Sequence, residues 1–241
     1  MDWLNGRVIF ITGGASGLGR EIALQSARLG ARVAIMDMHD GRLEETRADV
    51  AEFAGDCLAI KADVTDEVDV AGAINQIMQK WGQLDTVVNS AGVYWKAPIV
   101  ETPIAELDRV YAVNVRGLYL VCREAAKVML PRKSGHLINI ASIAGERGIL
   151  HESVYSSSKW AVRGIGQCLA VELGPEGIRV STVYPGGMDT NFWENDPRKL
   201  SGEWNTSRML QGQDVATAVV NIANLPERVS VKDIYVYRPG S

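Results

Sequence analysis

The 241-residue sequence predicts an α/β fold, a doubly wound, mostly parallel sheet of seven strands with helices on both faces. Three observations predict it. Short runs rich in Val and Ile alternate with longer helical patterns along the whole chain. The runs are apolar on both faces, as strands buried between helix layers are. The first run leads straight into a glycine-rich turn that opens a helical pattern, the order of a nucleotide-binding βα unit.

The strand candidates, in order, are Arg7–Thr12, Ala31–Asp37, Cys57–Asp63, Thr86–Ser90, His136–Ser142, Arg179–Tyr184 and Asp233–Tyr237. Helical patterns lie between them, near residues 17–29, 41–54, 66–81, 101–130, 153–173 and 212–224. Pro103 falls in the first turn of the fourth helix, where a missing N–H costs little. No repeat, low-complexity segment or linker divides the sequence. Residues 1–241 therefore read as one Rossmann-type domain, with residues 187–211 inserted in it as a lid or as a packed surface excursion.

Composition narrows the function classes. Hydrophobic residues make up 46% and charged residues 22%, the balance of a soluble globular chain. The net charge is −4, from 25 Lys+Arg against 29 Asp+Glu, and no basic stripe appears, which argues against a nucleic-acid surface. The apolar runs are far short of a membrane span. MDWLNGR at the N-terminus lacks a basic-then-apolar signal pattern. Cys57, Cys122 and Cys168 are odd in number and sit in apolar runs, which predicts reduced core thiols and a cytoplasmic location. His39, His136 and His151 are far apart, so no metal site is expected. His136 begins a strand and reads as structural; His151 reads as a loop residue or a substrate contact.

The glycine-rich turn is Thr12-Gly13-Gly14-Ala15-Ser16-Gly17-Leu18-Gly19. Gly13, Gly17 and Gly19 give a G-x-x-x-G-x-G spacing. Glycine permits a tight turn and a close backbone approach to a pyrophosphate, which the free N–H groups and dipole of the next helix then meet. A ligand-free αβ turn is the alternative; the strand before and helix after favour the ligand. Asp37 ends the second strand. A carboxylate there accepts hydrogen bonds from the ribose hydroxyls and repels a 2′-phosphate. Capping or facing solvent are its other readings. The glycine loop carries no basic residue before Arg20, and none follows Asp37 before Arg42, so NAD(H) is the expected cofactor over NADP(H). Asp63-Val64 closes the third strand, and its Asp either meets the adenine or is a loop Asp capping the next helix.

Tyr155 and Lys159, in VYSSSKW, are four residues apart and share one face of a helix. An isolated pair of this kind is usually an ordinary surface pair. With the motifs around it the chain resembles the short-chain dehydrogenase/reductase family of the single-domain, roughly 250-residue kind. The resemblance runs from Gly13 to about Thr190 and is carried by the glycine loop, Asp63-Val64, Asn89-Ser90-Ala91-Gly92, Asn114, Ser142, Tyr155/Lys159, and Pro185-Gly186 with Thr190. Ser90 departs from it, where the family usually has a second Asn, and so does Trp160, where a small residue is more usual.

The resemblance implies an oxidoreductase moving hydride between NAD(H) and a secondary alcohol or ketone. A 3-oxoacyl-thioester reductase and a non-catalytic nucleotide sensor are the alternatives. Tyr155 becomes the acid/base. Its pKa must fall from about 10 to about 7, worth about 4 kcal/mol. A unit charge at about 4 Å and effective dielectric 20 supplies that much, so Lys159 is expected to make the phenolate accessible. Ser142 is to hold the substrate oxygen, or to cap the next segment. Asn114 is to kink its helix and hold a water behind Lys159. Ser16, Leu18, Asn89, Ala91, Gly92, Pro185, Gly186 and Thr190 join Gly13, Gly17, Gly19, Asp37, Asp63, Val64, Tyr155 and Lys159 around the cofactor. A homotetramer or dimer through helices 101–130 and 153–173 is implied. Val93-Tyr94-Trp95, Ala144–Glu152 and Asn191–Leu210, with Phe192, Trp193 and Trp204, are expected to line the pocket of a small apolar or ring-bearing substrate.

Overall fold

The structure is a computed structural model that describes residues 3–54, 57–193 and 209–240. In chain order the elements are β1 (Val8–Thr12), α1 (Gly17–Arg28), β2 (Arg32–Asp37), α2 (Asp40–Ala54), β3 (Cys57–Lys61), α3 (Glu67–Trp81), β4 (Thr86–Asn89), α4 (Ile104–Tyr111), α5 (Leu118–Met129), β5 (Gly135–Ile140), α6 (Ser153–Leu173), β6 (Ile178–Pro185), β7 (Met188–Asp189), β8 (Leu210–Gln211), α7 (Gly212–Ala223) and β9 (Asp233–Val236). The seven longer strands form one sheet in the order β3-β2-β1-β4-β5-β6-β9. Every pairing in it is parallel.

The period-2 alternation of β1 shows why the strands are apolar on both faces. Ile9 and Ile11, with Val33 and Ile35 beside them, pack with Leu18 and Ile22 of α1 and Val215 and Val219 of α7. Val8 and Phe10, with Ala34 and Met36, pack on the other face with Ile74 of α3, Val121 of α5 and Val162 of α6. Burying each such side chain contributes about 1.5–3 kcal/mol, so a polar residue on either face of β1 would be costly. The strand order reverses between β1 and β4. That is the topological switch point, outside whose carboxyl ends a crevice opens in folds of this kind.

Three details differ from the sequence reading. The helix expected over 101–130 is broken. Ile99–Glu101 forms a 3₁₀ turn, α4 and α5 follow, and between them Ala112–Gly117 is a π-helical turn. Pro103 stands one residue before α4 rather than inside its first turn. Cys57 and Cys122 are buried as expected, but Cys168 is exposed, because it falls on the outward face of α6. Among the described residues, no helix is long and apolar enough to cross a membrane and no cluster of His, Cys, Asp or Glu is placed to hold a metal ion.

Candidate active site

At the switch point two loops touch where no side chain would fit. A Cβ on Gly13 would lie 2.8 Å from Ala91 Cα, and one on Gly19 would lie 2.2 Å from the Gly13 carbonyl oxygen. Gly13 has φ +68, in the left-handed region that favours glycine. The Ala91 amide donates to Thr12 Oγ1 at 3.1 Å, so the ends of β1 and β4 are tied together. Thr190 comes in from the far side: a Cβ on Gly17 would meet its Cβ at 3.7 Å. A cleft of about 530 Å³ opens there, lined by Ser16, Gly17, Arg20, Arg42, Thr190 and Gly212. Ser16 is the N-cap of α1 without a side-chain capping bond, and Leu18 is buried behind the turn. Such a cradle, with backbone exposed at a helix start, fits a dinucleotide pyrophosphate.

Asp37 reaches back to this loop. One carboxylate oxygen accepts from the Ala15 amide at 3.2 Å and the other from the His39 amide at 3.1 Å. Asp63 Oδ1 accepts from Thr65 N at 2.8 Å, a local turn, while Val64 is buried against Gly117, whose Cβ would sit 3.0 Å from Val64 Cγ2. The Asn89 side chain turns away from the cleft: its amide donates to Asn139 Oδ1 at 2.9 Å and Cys122 Sγ at 3.2 Å inside the sheet. Ala91 and Gly92 bring backbone to the cleft instead. Gly186, after Pro185 at the end of β6, is held by its amide on the Val236 carbonyl at 2.9 Å.

Tyr155 and Lys159 lie one turn apart on α6, at 6% and 5% exposure. Such burial of two ionisable groups indicates a role other than a surface pair. Lys159 Nζ donates to the Ile140 carbonyl at 2.9 Å and stands 5.7 Å from the centre of the Tyr155 ring. Ser142, just past β5, accepts from the Ala144 amide through its Oγ at 3.1 Å, and its side chain favours the ionised form of Tyr155. It is thus a cap of the turn that follows, one of the two roles the sequence offers for it. Asn114 is aimed by the π turn, a feature common at functional sites. Its Oδ1 accepts from Val93 N at 2.8 Å and its Nδ2 donates to Val93 O at 2.9 Å and Ser158 Oγ at 3.1 Å. The amide pins the Gly92–Val93 turn to α6, beside any part it has in holding water.

The electrostatics correct one expectation. Burial holds the Tyr155 phenol above its ordinary pKa; the Ser142 hydrogen bond opposes this and the Glu152 charge adds to it. Burial also lowers Lys159 to about 8. In the free chain desolvation therefore outweighs the pull of the ammonium, which is turned to the Ile140 carbonyl.

Sequence reading missed how the aromatic residues beside Tyr155 are joined. Tyr94 packs edge-on against Tyr155 with ring centres 5.0 Å apart, and Phe192 stands 5.9 Å from Tyr155. Trp193 meets Tyr94 at 4.5 Å and donates its indole N–H to the Met188 carbonyl at 2.7 Å. Tyr94 Oη donates to Glu152 at 2.7 Å. Those partners are 58 residues apart, and no local signal joins them. His151 contributes its carbonyl, which accepts from the Ala97 amide at 2.9 Å. His136 is buried and neutral against Ser181 Oγ at 2.8 Å. Most of the expected lid, residues 194–208 with Trp204, lies outside the described residues. Its two flanks meet where Met188–Asp189 pairs with Leu210–Gln211.

The chain is similar to known proteins over most of its length. The model of the family described as short chain dehydrogenase matches residues 7–201. Levodione reductase of Leifsonia aquatica is 38% identical over 200 residues, covering 82% of this chain and 75% of its own. A crystal structure of levodione reductase superposes with a TM-score of 0.90 at 31% identity, covering 97% of each chain. NAD⁺-bound xylitol dehydrogenase gives 0.87 at 26% identity, covering 97% of this chain and 98% of its own. ElxO with NADP bound gives 0.88 at 27%, covering 96% and 97%.

Proposed function

The chain belongs to the short-chain dehydrogenase family and is an oxidoreductase acting on CH–OH groups; we propose that it moves hydride between NAD(H) and a secondary alcohol or its ketone, with Tyr155 as acid and base. The observation that carries this is the convergence of Ser142, Tyr155 and Lys159, from a strand end and one helix, beside a glycine cradle sized for a dinucleotide.

When bound, the nicotinamide supplies the hydride donor or acceptor. The chain's own residues handle the proton and the positioning. Tyr155 Oη takes the proton of the alcohol oxygen in oxidation and returns it to the carbonyl oxygen in reduction. The Ser142 hydroxyl, on the same side as Tyr155, orients the same oxygen. Lys159 brings a positive charge beneath the phenol and a hydrogen-bond donor for the cofactor ribose. Asn114 fixes the Gly92–Val93 turn that would support the cofactor. Gly13, Ser16, Gly17, Leu18, Gly19, Asp63, Val64, Asn89, Ala91, Pro185, Gly186 and Thr190 complete the binding surface, with Asn89 acting through its backbone. In the free chain Tyr155 is protonated, ready to act as an acid. Oxidation requires the phenolate, so its rate rises with pH.

Asp37 supports NAD(H) over NADP(H), since a carboxylate that binds the glycine loop also stands where a 2′-phosphate would be repelled. Arg20 and Arg42 both line the cleft, and Arg20 is paired with Asp49 at 2.6 Å, which leaves Arg42 as the cation better placed to meet a 2′-phosphate. The test is initial-rate kinetics with NAD⁺ and NADP⁺ on a panel of secondary alcohols. NAD⁺ is expected to win, and Asp37→Ala to narrow its advantage by about tenfold, as loss of one charged hydrogen-bond partner does. Unchanged preference in Asp37→Ala removes Asp37 from the ribose site.

The remaining readings belong to the same proposal. The chain acts as one domain with a substrate lid over 187–211, in the cytoplasm, as a homo-oligomer. Exposed Tyr119 on α5 and exposed Trp160 and Val171 on α6 support an interface between copies.

A further inference from the structure

We propose that Tyr94, anchored through its hydroxyl by the buried carboxylate of Glu152, is the specificity-determining wall of the substrate pocket and selects a ring-bearing, apolar alcohol or ketone over an extended polyol. The inference rests on the oxidoreductase reading and adds the substrate's shape and the residue that reads it.

Tyr94 is the hub of an aromatic box. Its ring lies 5.0 Å from Tyr155, 6.0 Å from Phe192 and 4.5 Å from Trp193, centre to centre. Aromatic edges and faces at such spacings suit the C–H surface of another ring. They offer little to a polyol, whose hydroxyls would be buried there without partners.

The hydroxyl explains why the position holds Tyr rather than Phe. It donates to Glu152 Oε1 at 2.7 Å. Glu152 is 5% exposed and directly precedes α6, three residues before Tyr155. The wall and the acid/base are thus fixed to one helix end. The other side of Tyr94 is held too: Arg109 Nη2 donates to its carbonyl at 3.1 Å, and the preceding Val93 is clasped by Asn114. A ring fixed at both ends has lost its conformational entropy before the substrate arrives.

Glu152 is a positioning residue, and its charge gives it a signature that a mere scaffold lacks. It faces Tyr155 and opposes ionisation of the phenol. Lys96 Nζ stands 3.7 Å from the same carboxylate oxygen. Among the described residues, Lys159 of α6 lies beside Tyr155 and Arg109 of α4 bonds the Tyr94 carbonyl; Ser142, Phe192 and Trp193 bring no charge.

The experiment compares cyclohexanol with sorbitol as substrates in the wild type, Tyr94→Ala, Tyr94→Phe and Glu152→Gln, and runs calorimetry of cyclohexanone on NAD⁺-loaded protein. Tyr94→Ala should lower the ratio of kcat/KM for the ring over the polyol by about tenfold, chiefly through KM. Tyr94→Phe keeps the ring without its anchor and should lower the ratio by about threefold. Glu152→Gln keeps an acceptor for Tyr94 and should keep the ratio, while the pH profile of oxidation moves to lower pH. Cyclohexanone should bind about tenfold more weakly to Tyr94→Ala than to wild type.

An unchanged ratio in Tyr94→Ala, or equal cyclohexanone affinity, or no cyclohexanone binding by the wild type, overturns the proposal. So does a Glu152→Gln pH profile that stays in place. Absence of wild-type turnover on both alcohols sinks the substrate reading under Proposed function instead, and the calorimetry still decides the role of Tyr94. If Tyr94→Ala does not fold, Tyr94→Phe and Glu152→Gln carry the same decision.

Discussion

Gly19 and Lys159 both stand at the cleft, and they are there for opposite reasons. At Gly19 the useful feature is a missing side chain: the start of α1 presses so closely on the loop before it that a methyl group would overlap the Gly13 carbonyl oxygen at 2.2 Å. At Lys159 the useful feature is a side chain the fold would be more stable without. Its ammonium is buried, lowered to about 8, and given one carbonyl as partner. The nucleotide half of the cleft is shaped by close packing of backbone, which stability and binding both favour. The half around Tyr155 is shaped by buried ionisable groups, which stability opposes. Mutations should therefore move binding and stability together in the first region and move activity and stability apart in the second.

The largest expected effect is at the glycine loop. Gly19→Ala must push backbone against backbone, so it should destabilise by about 3 kcal/mol, at the upper end for overpacking. For a chain of this length that lowers Tm by about 6–12 °C. NADH affinity should fall with it, measured by fluorescence titration. An unaltered Tm with normal NADH binding would mean the loop is looser than drawn.

Lys159→Met should do the reverse. Moving a lysine from 10.5 to about 8 costs the folded state about 3 kcal/mol. Leaving the Ile140 carbonyl without its donor gives back about 1–3 kcal/mol of that. A net gain near 1 kcal/mol, or about 2–4 °C in Tm, is expected at pH 7, together with lost turnover. The sign follows from linkage. The folded pKa is depressed, so the penalty is complete below about 8 and vanishes above 10.5. The advantage of Lys159→Met should shrink as pH rises through that window, which scanning fluorimetry at a series of pH values would show. A variant less stable than wild type at pH 7 would place the lysine in a better-satisfied site.

The smallest effect serves as the control. Gly41, in the first turn of α2, has open space around its Cβ position. Gly41→Ala should raise stability by about 0.5–1 kcal/mol through helix propensity alone, with cofactor binding untouched. Thermal melts that separate Gly41→Ala from Gly19→Ala would isolate the close approach from the general effect of removing a glycine.

What could be read from sequence divides along the same line. The strands and the glycine loop were legible because their causes are local: β-branched runs buried on both faces, and a spacing of glycines after β1. The motif order placed Ser142, Tyr155 and Lys159 near one another without giving their balance of forces. Coulomb attraction between Tyr155 and Lys159 can be estimated from spacing, but desolvation depends on what packs over them, and here that includes Tyr94 and Phe192 from two distant segments. The π turn at Ala112–Gly117 left only Asn114 and the helix-weakening Gly117 as signs, in an otherwise continuous helical pattern. Asn89 illustrates a further limit. In a strand covered on both sides, alternation tells which residues share a face, not which face holds a polar pocket such as that formed with Cys122 and Asn139.

The most direct test of the account is Tyr155→Phe, assayed beside the wild type for NAD⁺ reduction with a secondary alcohol and for NADH binding. Phe fills the same buried space and has no proton to exchange. Turnover should fall by about a thousandfold, the rise of the wild-type rate with pH should disappear, and NADH affinity should stay within about threefold. A variant that turns over at near wild-type rate with the same pH profile would contradict the assignment of Tyr155 as the acid and base.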